Sequence, residues 1–448
     1  MIRIIAGLGA GAVLMAAPAP AQQNAAKPPL VSGDMTLSQA VATALTNSPM
    51  LAARRAQTAA ASARVGMARA MTRPQVSTST FASMSNAQMI VQSSEGVQPV
   101  NLSMAPDASR LNQNVMAMYP LYTGGRLSGG VNQARALEQA SSQDAVTAEL
   151  DVALITKTAY YQVLLARQFV EAYQQRVDEA KERVRIAEEA FSAGRIARFD
   201  LLRNQTDLAE AQQQLNNALR DVELALTDLR NAMGVAQSSQ INPSESLAAP
   251  QTSGNEPGLE ELQSRALAQR PEVAAAKART RSAEAALGVA RSAYRPQVYA
   301  TAMADAMWMS DAGMNGDDFD SSYLVGVTAS LPILDGGLRR AGIEEARAML
   351  EQMRAEERDV ELGVSRDVSS SFARMSAAAS NVTLAQAAID QAEEDYRVIR
   401  MRYEAGRAVN VEVLDALASL TRARTAHAEA LYAYNLARET LTRAVGGR

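Results

Sequence analysis

Cysteine is absent from this 448-residue chain, so neither a disulfide nor a lipid-anchor cysteine is available to it. There is one histidine, His427, and without any thiol it leaves no nitrogen-and-sulfur metal site. Aromatic residues make up only 4%, and the 47% of hydrophobic residues comes largely from alanine, which favours helices over bulky cores. Positive charge is not in excess. With 44 Lys and Arg against 48 Asp and Glu the net charge is −4, which argues against a nucleic-acid partner. Beyond the N-terminus no run of about 18 apolar residues occurs, so no bilayer-spanning helix is expected. No nucleophile–base pair, phosphate loop or cleft-forming carboxylate pair is present. Neither an enzyme nor a cofactor is expected.

The N-terminus, one arginine followed by an apolar run and then Ala19-Pro20-Ala21, reads as a secretory signal peptide of residues 1–21. Residues 22–34 are Pro- and Ala-rich and read as an extended segment. An exported chain without a spanning helix is periplasmic, secreted or part of a β-barrel.

The rest is a tandem duplication. Leu37, Leu45 and Pro49 are matched by Leu259, Leu267 and Pro271, 222 positions later. Helical patterns then end alike at Arg73-Pro74-Gln75-Val76 and Arg295-Pro296-Gln297-Val298, where proline disfavours helix in the residue before it. Strand-like segments follow, about 75–120 and 297–333, and the clearest alternation is Tyr323, Val325, Val327, Ala329 and Leu331. Both leave through proline and two glycines, at Pro120 to Arg126 and at Pro332 to Leu338. Trp308 with Tyr299, Tyr323 and Tyr119 is a candidate aromatic girdle of a membrane barrel.

Proline-free helical patterns of sixty-odd residues come next, each a rod of roughly 100 Å, a length that signals a coiled coil or a tunnel. They turn at related tips, Phe191 to Arg203 and Tyr403 to Asp415, 212 positions apart. The return helix of the first tip carries Leu208, Gln212, Leu215, Leu219, Val222, Leu226, Leu229 and Met233 as a heptad seam, and His427 sits on the second seam where Leu215 sits on the first. The repeats are read as 35–234 and 259–446, joined by a polar linker over 235–258. Four strands per chain cannot close a barrel alone, and an open sheet in a membrane would leave backbone groups unpaired. Three chains would supply about twelve strands, an even number within the range of membrane barrels.

The signal peptide, the duplicated helix–strand–strand–helix order, the Pro…Gly-Gly exits and the Tyr403-Glu-Ala-Gly406…Glu412-Val-Leu-Asp415 tip together resemble the TolC family of outer membrane efflux channels. The likeness covers essentially the whole mature chain. It implies a mainly α protein with membrane β: a homotrimeric twelve-stranded barrel in outer membrane lipid, continuous with a coiled-coil tunnel in the periplasm. It also implies docking to a periplasmic adaptor and an inner-membrane transporter, in drug efflux or in type I secretion.

At the tips the resemblance implies roles for individual residues. Tyr403 would bond Asp200 and hold the aperture shut. The family's arginine bonding across the tip falls at Ala408, and here Arg407 stands one residue earlier as the candidate. Glu412 and Asp415 would form two acidic rings, whereas the first tip has Arg203 in place of Asp415. Gly194, Arg195 and Gly406 lie where adaptor hairpins dock. The competing class is a periplasmic coiled-coil adaptor or scaffold without a pore. Adaptors carry one helical hairpin between β-rich domains, so two hairpins each preceded by a strand pair favour the channel.

Overall fold

A computed structural model describes residues 28–85, 89–91, 100–102, 108–250, 257–310 and 317–447. The expected signal peptide, residues 22–27, residues 251–256 of the linker and most of both strand loops lie outside this range.

Each repeat begins with a short helix and a 22-residue helix separated by proline: α1 (Leu37–Asn47) and α2 (Pro49–Ala70), then α5 (Leu259–Gln269) and α6 (Pro271–Ser292). Proline opens α2 and α6 at a position whose N–H has no intrahelical partner anyway. Thr36 caps α1 through a reciprocal pair with Gln39, an interaction worth about 1 kcal/mol.

The strands β2 (Gln75–Ser85), β5 (Ala108–Tyr122), β7 (Gln297–Ser310) and β8 (Asp317–Ser330) form one antiparallel sheet in the order β2-β5-β7-β8. The two repeats join at β5–β7, and β2 and β8 are left as edges. A two-stranded ribbon, β3 (Met89–Val91) with β4 (Val100–Leu102), lies in the first strand loop. The register sorts the side chains by face, because paired residues share a side. One face carries the rows Val76, Ala117, Ala302, Val325 and Thr78, Val115, Ala304, Tyr323, together with Trp308. The other carries Ser79, Asn114, Asp305 and Ser322, with Asn114 Nδ2 donating to Asp305 at 2.6 Å. The first face is the more apolar, interrupted by Thr78, Thr80, Gln113 and Ser321, whereas the second mixes polar rows with Met116, Met303 and Leu324.

Of the four aromatics expected in a girdle, Trp308, Tyr323 and Tyr119 share one face, and Trp308 packs at a tilt against Phe319 with ring centroids 5.0 Å apart. Tyr299 does not. The alternation puts it on the opposite side, where its hydroxyl receives a bond from Arg126 at 2.8 Å.

Paired glycines carry the chain from sheet to long helix. Gly124 and Gly125 have φ of +63° and +94°, and Gly336 and Gly337 repeat both values. The long helices are α3 (Arg126–Ser192) and α7 (Leu338–Glu404), of 67 residues each. They return as α4 (Arg198–Met233) and α8 (Asn410–Val445). The first seam is closer-packed than the leucine pattern implies. Ala211, Ala218 and Ala225 are buried, with Leu229 and Met233 fully so, whereas Leu219 is 49% exposed. Alanine lets two straight helices approach along their whole length, so it takes the inward positions and displaces the bulkier neighbour outward.

The main core lies where the middle of α3 meets the C-terminal end of α4, and there Tyr160, Leu229 and Met233 are enclosed. The N-terminal strand β1 (Ser32–Met35) pairs in parallel with β6 (Gln240–Pro243), so the segment read as a linker also contributes a strand. Tyr160 Oη donates to the Met35 carbonyl at 2.8 Å and ties this ribbon to α3. Partly buried ion pairs join the repeats here, Lys157 to Glu439 at 2.8 Å and Arg443 to Asp151 at 2.7 Å, and Arg443 also pairs with Glu272 of its own repeat. Burial opposes the charge on Glu439, but Lys157 and Arg438 outweigh it and hold the carboxyl below its usual range.

Candidate functional site at the hairpin tips

Each long helix ends in a left-handed glycine. Gly194 has φ +69° and Gly406 +71°, and the following amides, Arg195 N and Arg407 N, reach back to the Ala190 and Arg402 carbonyls at 2.8 and 2.7 Å. These bonds satisfy carbonyls that the end of a helix leaves free. A Cβ at either glycine would meet nothing within 4 Å, so the backbone conformation, not crowding, requires glycine there.

Tyr403 lies in the last turn of α7, half-buried against Tyr396, Val413 and Leu417 of its own hairpin. Asp200 is in the first turn of α4, and its carbonyl accepts from Asn204. Within the single chain no hydrogen bond joins Tyr403 to Asp200. Glu412 lies in the first turn of α8, where a carboxylate favours the helix dipole, and Asp415 is exposed one turn later. Arg407 is exposed, and neither it nor these two acids takes part in an ion pair among the described residues.

A cleft of about 520 Å³ separates the two tips. Tyr403, Arg195 and Gly406 line it; Asp200, Arg407, Glu412 and Asp415 do not. Two buried amides also face it, Asn204 and Asn410, each with one side-chain atom unpartnered. Arg183 binds Asp207 at 2.6 Å through one nitrogen and keeps two others buried and unpaired.

The bond that joins the hairpins here is one the sequence reading passed over. Tyr396 Oη donates to Glu179 Oε2 across the cleft at 2.7 Å. Burial pushes the Tyr396 phenol up to about 12, and the adjoining Glu179 carboxylate adds to the effect. The phenol therefore remains a donor throughout the neutral range. One signal was available: Tyr396 precedes Tyr403 by one heptad and shares its seam. Higher on the same hairpin pair, Arg424 bridges Gln175 of α3 and Glu393 of α7. His427 is half-buried on the α8 seam, and burial lowers its pKa despite the nearby Asp390.

The outer membrane efflux protein family matches residues 40–235 and 262–447, nearly all of both repeats. The chain belongs to the TolC family of outer membrane efflux proteins. Among its relatives, the pyoverdine export outer membrane protein OpmQ of Pseudomonas aeruginosa is 26% identical over 330 residues, 73% of this chain and 67% of OpmQ. The outer membrane protein TolC of Vibrio cholerae is 30% identical over 122 residues, 27% of this chain and 28% of TolC. The fold is similar to that of a crystallised membrane protein from Pseudomonas aeruginosa, with a TM-score of 0.78, 23% identity and coverage of 92% and 93% of the two chains. As a member of the TolC family the protein is an outer membrane channel component of a tripartite export system, with a large periplasmic helical part. It is not an enzyme.

Proposed function

We propose that three copies close their sheets into one twelve-stranded barrel, which continues into a helical tunnel gated at the hairpin tips. The observation that carries this reading is the sheet itself: antiparallel, richer in apolar residues on one face and in polar residues on the other, with β2 and β8 left as edges. An apolar face suits lipid and a polar face suits a water-filled lumen, and pairing β8 of one copy with β2 of the next removes every edge. The partners are a periplasmic adaptor, docking about Gly194, Arg195 and Gly406, and an inner-membrane transporter that supplies the cargo.

In the closed channel Tyr403 bonds Asp200, Arg407 braces the tip, and Glu412 and Asp415 of three copies form acidic rings. A phenol donating to a carboxylate contributes roughly 1.5–3 kcal/mol, enough to bias a gate and small enough for docking to break. The intact Tyr396–Glu179 bond at the same end supports a closed form of the tip.

The test is unitary conductance of detergent-extracted protein in planar bilayers, beside Tyr403→Phe and Asp200→Ala. A small conductance that rises in both variants is expected. Equal conductance in all three proteins would remove Tyr403 and Asp200 from the gate.

A further inference from the structure

Around the middle of α3 and α7 a second layer of structure, α1, α5 and the β1–β6 ribbon, covers one side of the long helices. Tyr160 of α3 bonds the Met35 carbonyl of β1, and Gln263 of α5 donates to Ser369 Oγ of α7 at 2.9 Å. Val364, Val368 and Phe372 of α7 pack on Leu262 and Ala266 of α5. The positions two further on lie about 200° round the helix, so Arg366, Ser370 and Arg374 stand on the opposite side. On α3, Asp151 precedes Tyr160 by about two and a half turns and so also faces away from the second layer.

That side holds a cavity of about 600 Å³, lined by Arg270, Arg366, Arg374 and Arg443 with Asp151 and Asp367. Its inner wall is neutralised. Arg443 pairs with Asp151 and Glu272, and Arg270, only 6% exposed, pairs with Glu272 at 3.1 Å and Asp367 at 3.4 Å. Its mouth is cationic. The Arg366 side chain is 81% exposed and meets Asp367 only at 3.4 Å. Arg374 is exposed and takes part in no ion pair among the described residues. Between them the small Ser370 is tied back to the Asp367 carbonyl at 3.1 Å, which leaves the space between the two guanidinium groups open.

The duplication shows that the fold does not need these charges. The first-repeat counterparts of Arg270, Arg366, Arg374 and Arg443 are Ser48, Leu154, Gln162 and Asn231. With those residues the first repeat still builds long and return helices of the same 67 and 36 residues. The arginines therefore belong to the second repeat alone, and none of the counterpart positions carries a carboxylate to answer them.

We infer that this patch is a binding site for anionic cargo, where Arg366 and Arg374 hold carboxylate or other oxyanion groups in transit. The inference rests on the channel proposed above. In a ring of three the second layer goes outside, because three copies of it inside would fill the conduit, and the arginines then face the lumen. A guanidinium grips an oxyanion through two parallel N–H groups and keeps its charge across the physiological pH range. Exposure to water keeps such contacts weak, which suits a site that cargo must leave. Along α7 the patch lies roughly 40 Å from Tyr403, far from Glu412 and Asp415 at the tip. Small-ion selectivity belongs to that narrow end, and the arginines act on larger anions inside the tunnel.

The test uses citrate as the anionic probe. Unitary currents of detergent-extracted protein are recorded in planar bilayers with citrate in both chambers, for wild type and for Arg366→Gln with Arg374→Gln. Citrate is expected to block the wild type, less so as salt rises, and the double variant should need about tenfold more for the same block. Leu154→Arg with Gln162→Arg, which places the same charges on the first repeat, should need less. Equal block in all three proteins, or none in a conducting wild type, would overturn the site and leave the channel standing. The absence of cysteine allows a separate check of placement. Arg374→Cys is treated with a charged, membrane-impermeant thiol reagent, and a changed unitary current is expected. Complete modification by mass with an unchanged current would put residue 374 outside the lumen and overturn the inference. Folded particles that carry no current in any variant would overturn the channel and this site together.

Discussion

At the scale of single residues, the tip is held by a phenol and a carboxylate two turns from the end of the hairpin. Tyr396 is 8% exposed and keeps its proton because burial and Glu179 both oppose ionisation. Its folded pKa, about 12, lies above the ordinary value of 10.0, so the bond's contribution is fully present below pH 10 and lost as pH rises through about 12. Tyr396→Phe is expected to raise open probability in planar bilayers about tenfold or more, the equivalent of roughly 1.5–3 kcal/mol. Glu179→Gln should act in the same direction, and the double variant should add little beyond either one. Wild-type channels should open further between pH 10 and 12, and Tyr396→Phe channels should not. Additive effects, or a pH response kept by Tyr396→Phe, would show that the two side chains act separately. Tyr403 could be singled out from its motif, but its surroundings could not. Whether it reaches Asp200 depends on how two hairpins lie against each other, which no local pattern encodes.

Among the elements, long proline-free runs of helix formers and a period-two apolar pattern made long helices and strands legible from the order of residues alone. The heptad was only partly legible. Leucine marks a seam by hydrophobicity, yet Ala211, Ala218 and Ala225 occupy its inward layers, and alanine is too frequent here to stand out. Tyr299 was misplaced because aromatic content was counted without strand parity. The glycines separate by cause. At Gly124 both the left-handed backbone and the Arg295 side chain exclude a methyl group, so Gly124→Ala is expected to cost more than the ~1–2 kcal/mol of backbone strain alone. Gly130 lies inside α3 with nothing within 4 Å of an added Cβ, so Gly130→Ala should stabilise by up to about 1 kcal/mol. Thermal unfolding of detergent-extracted protein measures both. A neutral Gly124→Ala would contradict the crowded junction.

For the molecule as a whole, the duplication has a physical consequence that a single chain cannot satisfy. Sheet edges β2 and β8 both lack the neighbour that β5 of the first repeat already finds in β7 of the second. The fold was legible to this depth because a repeated pattern of 222 and then 212 positions survives drift at any one site. The cleft was not, since its walls come from residues more than 200 positions apart, such as Glu179 and Tyr396. The central claim is that three copies converge on one conduit whose acids face the path of ions. Its most direct test is the reversal potential across a planar bilayer under a salt gradient, for wild type and for Glu412→Gln with Asp415→Asn. The account predicts cation selectivity that falls towards neutrality in the double variant, because three copies of each carboxylate would attract cations in a narrow aperture. Selectivity unchanged in the double variant would place Glu412 and Asp415 away from the pore, and well-folded outer membrane particles that carry no current would contradict the channel itself.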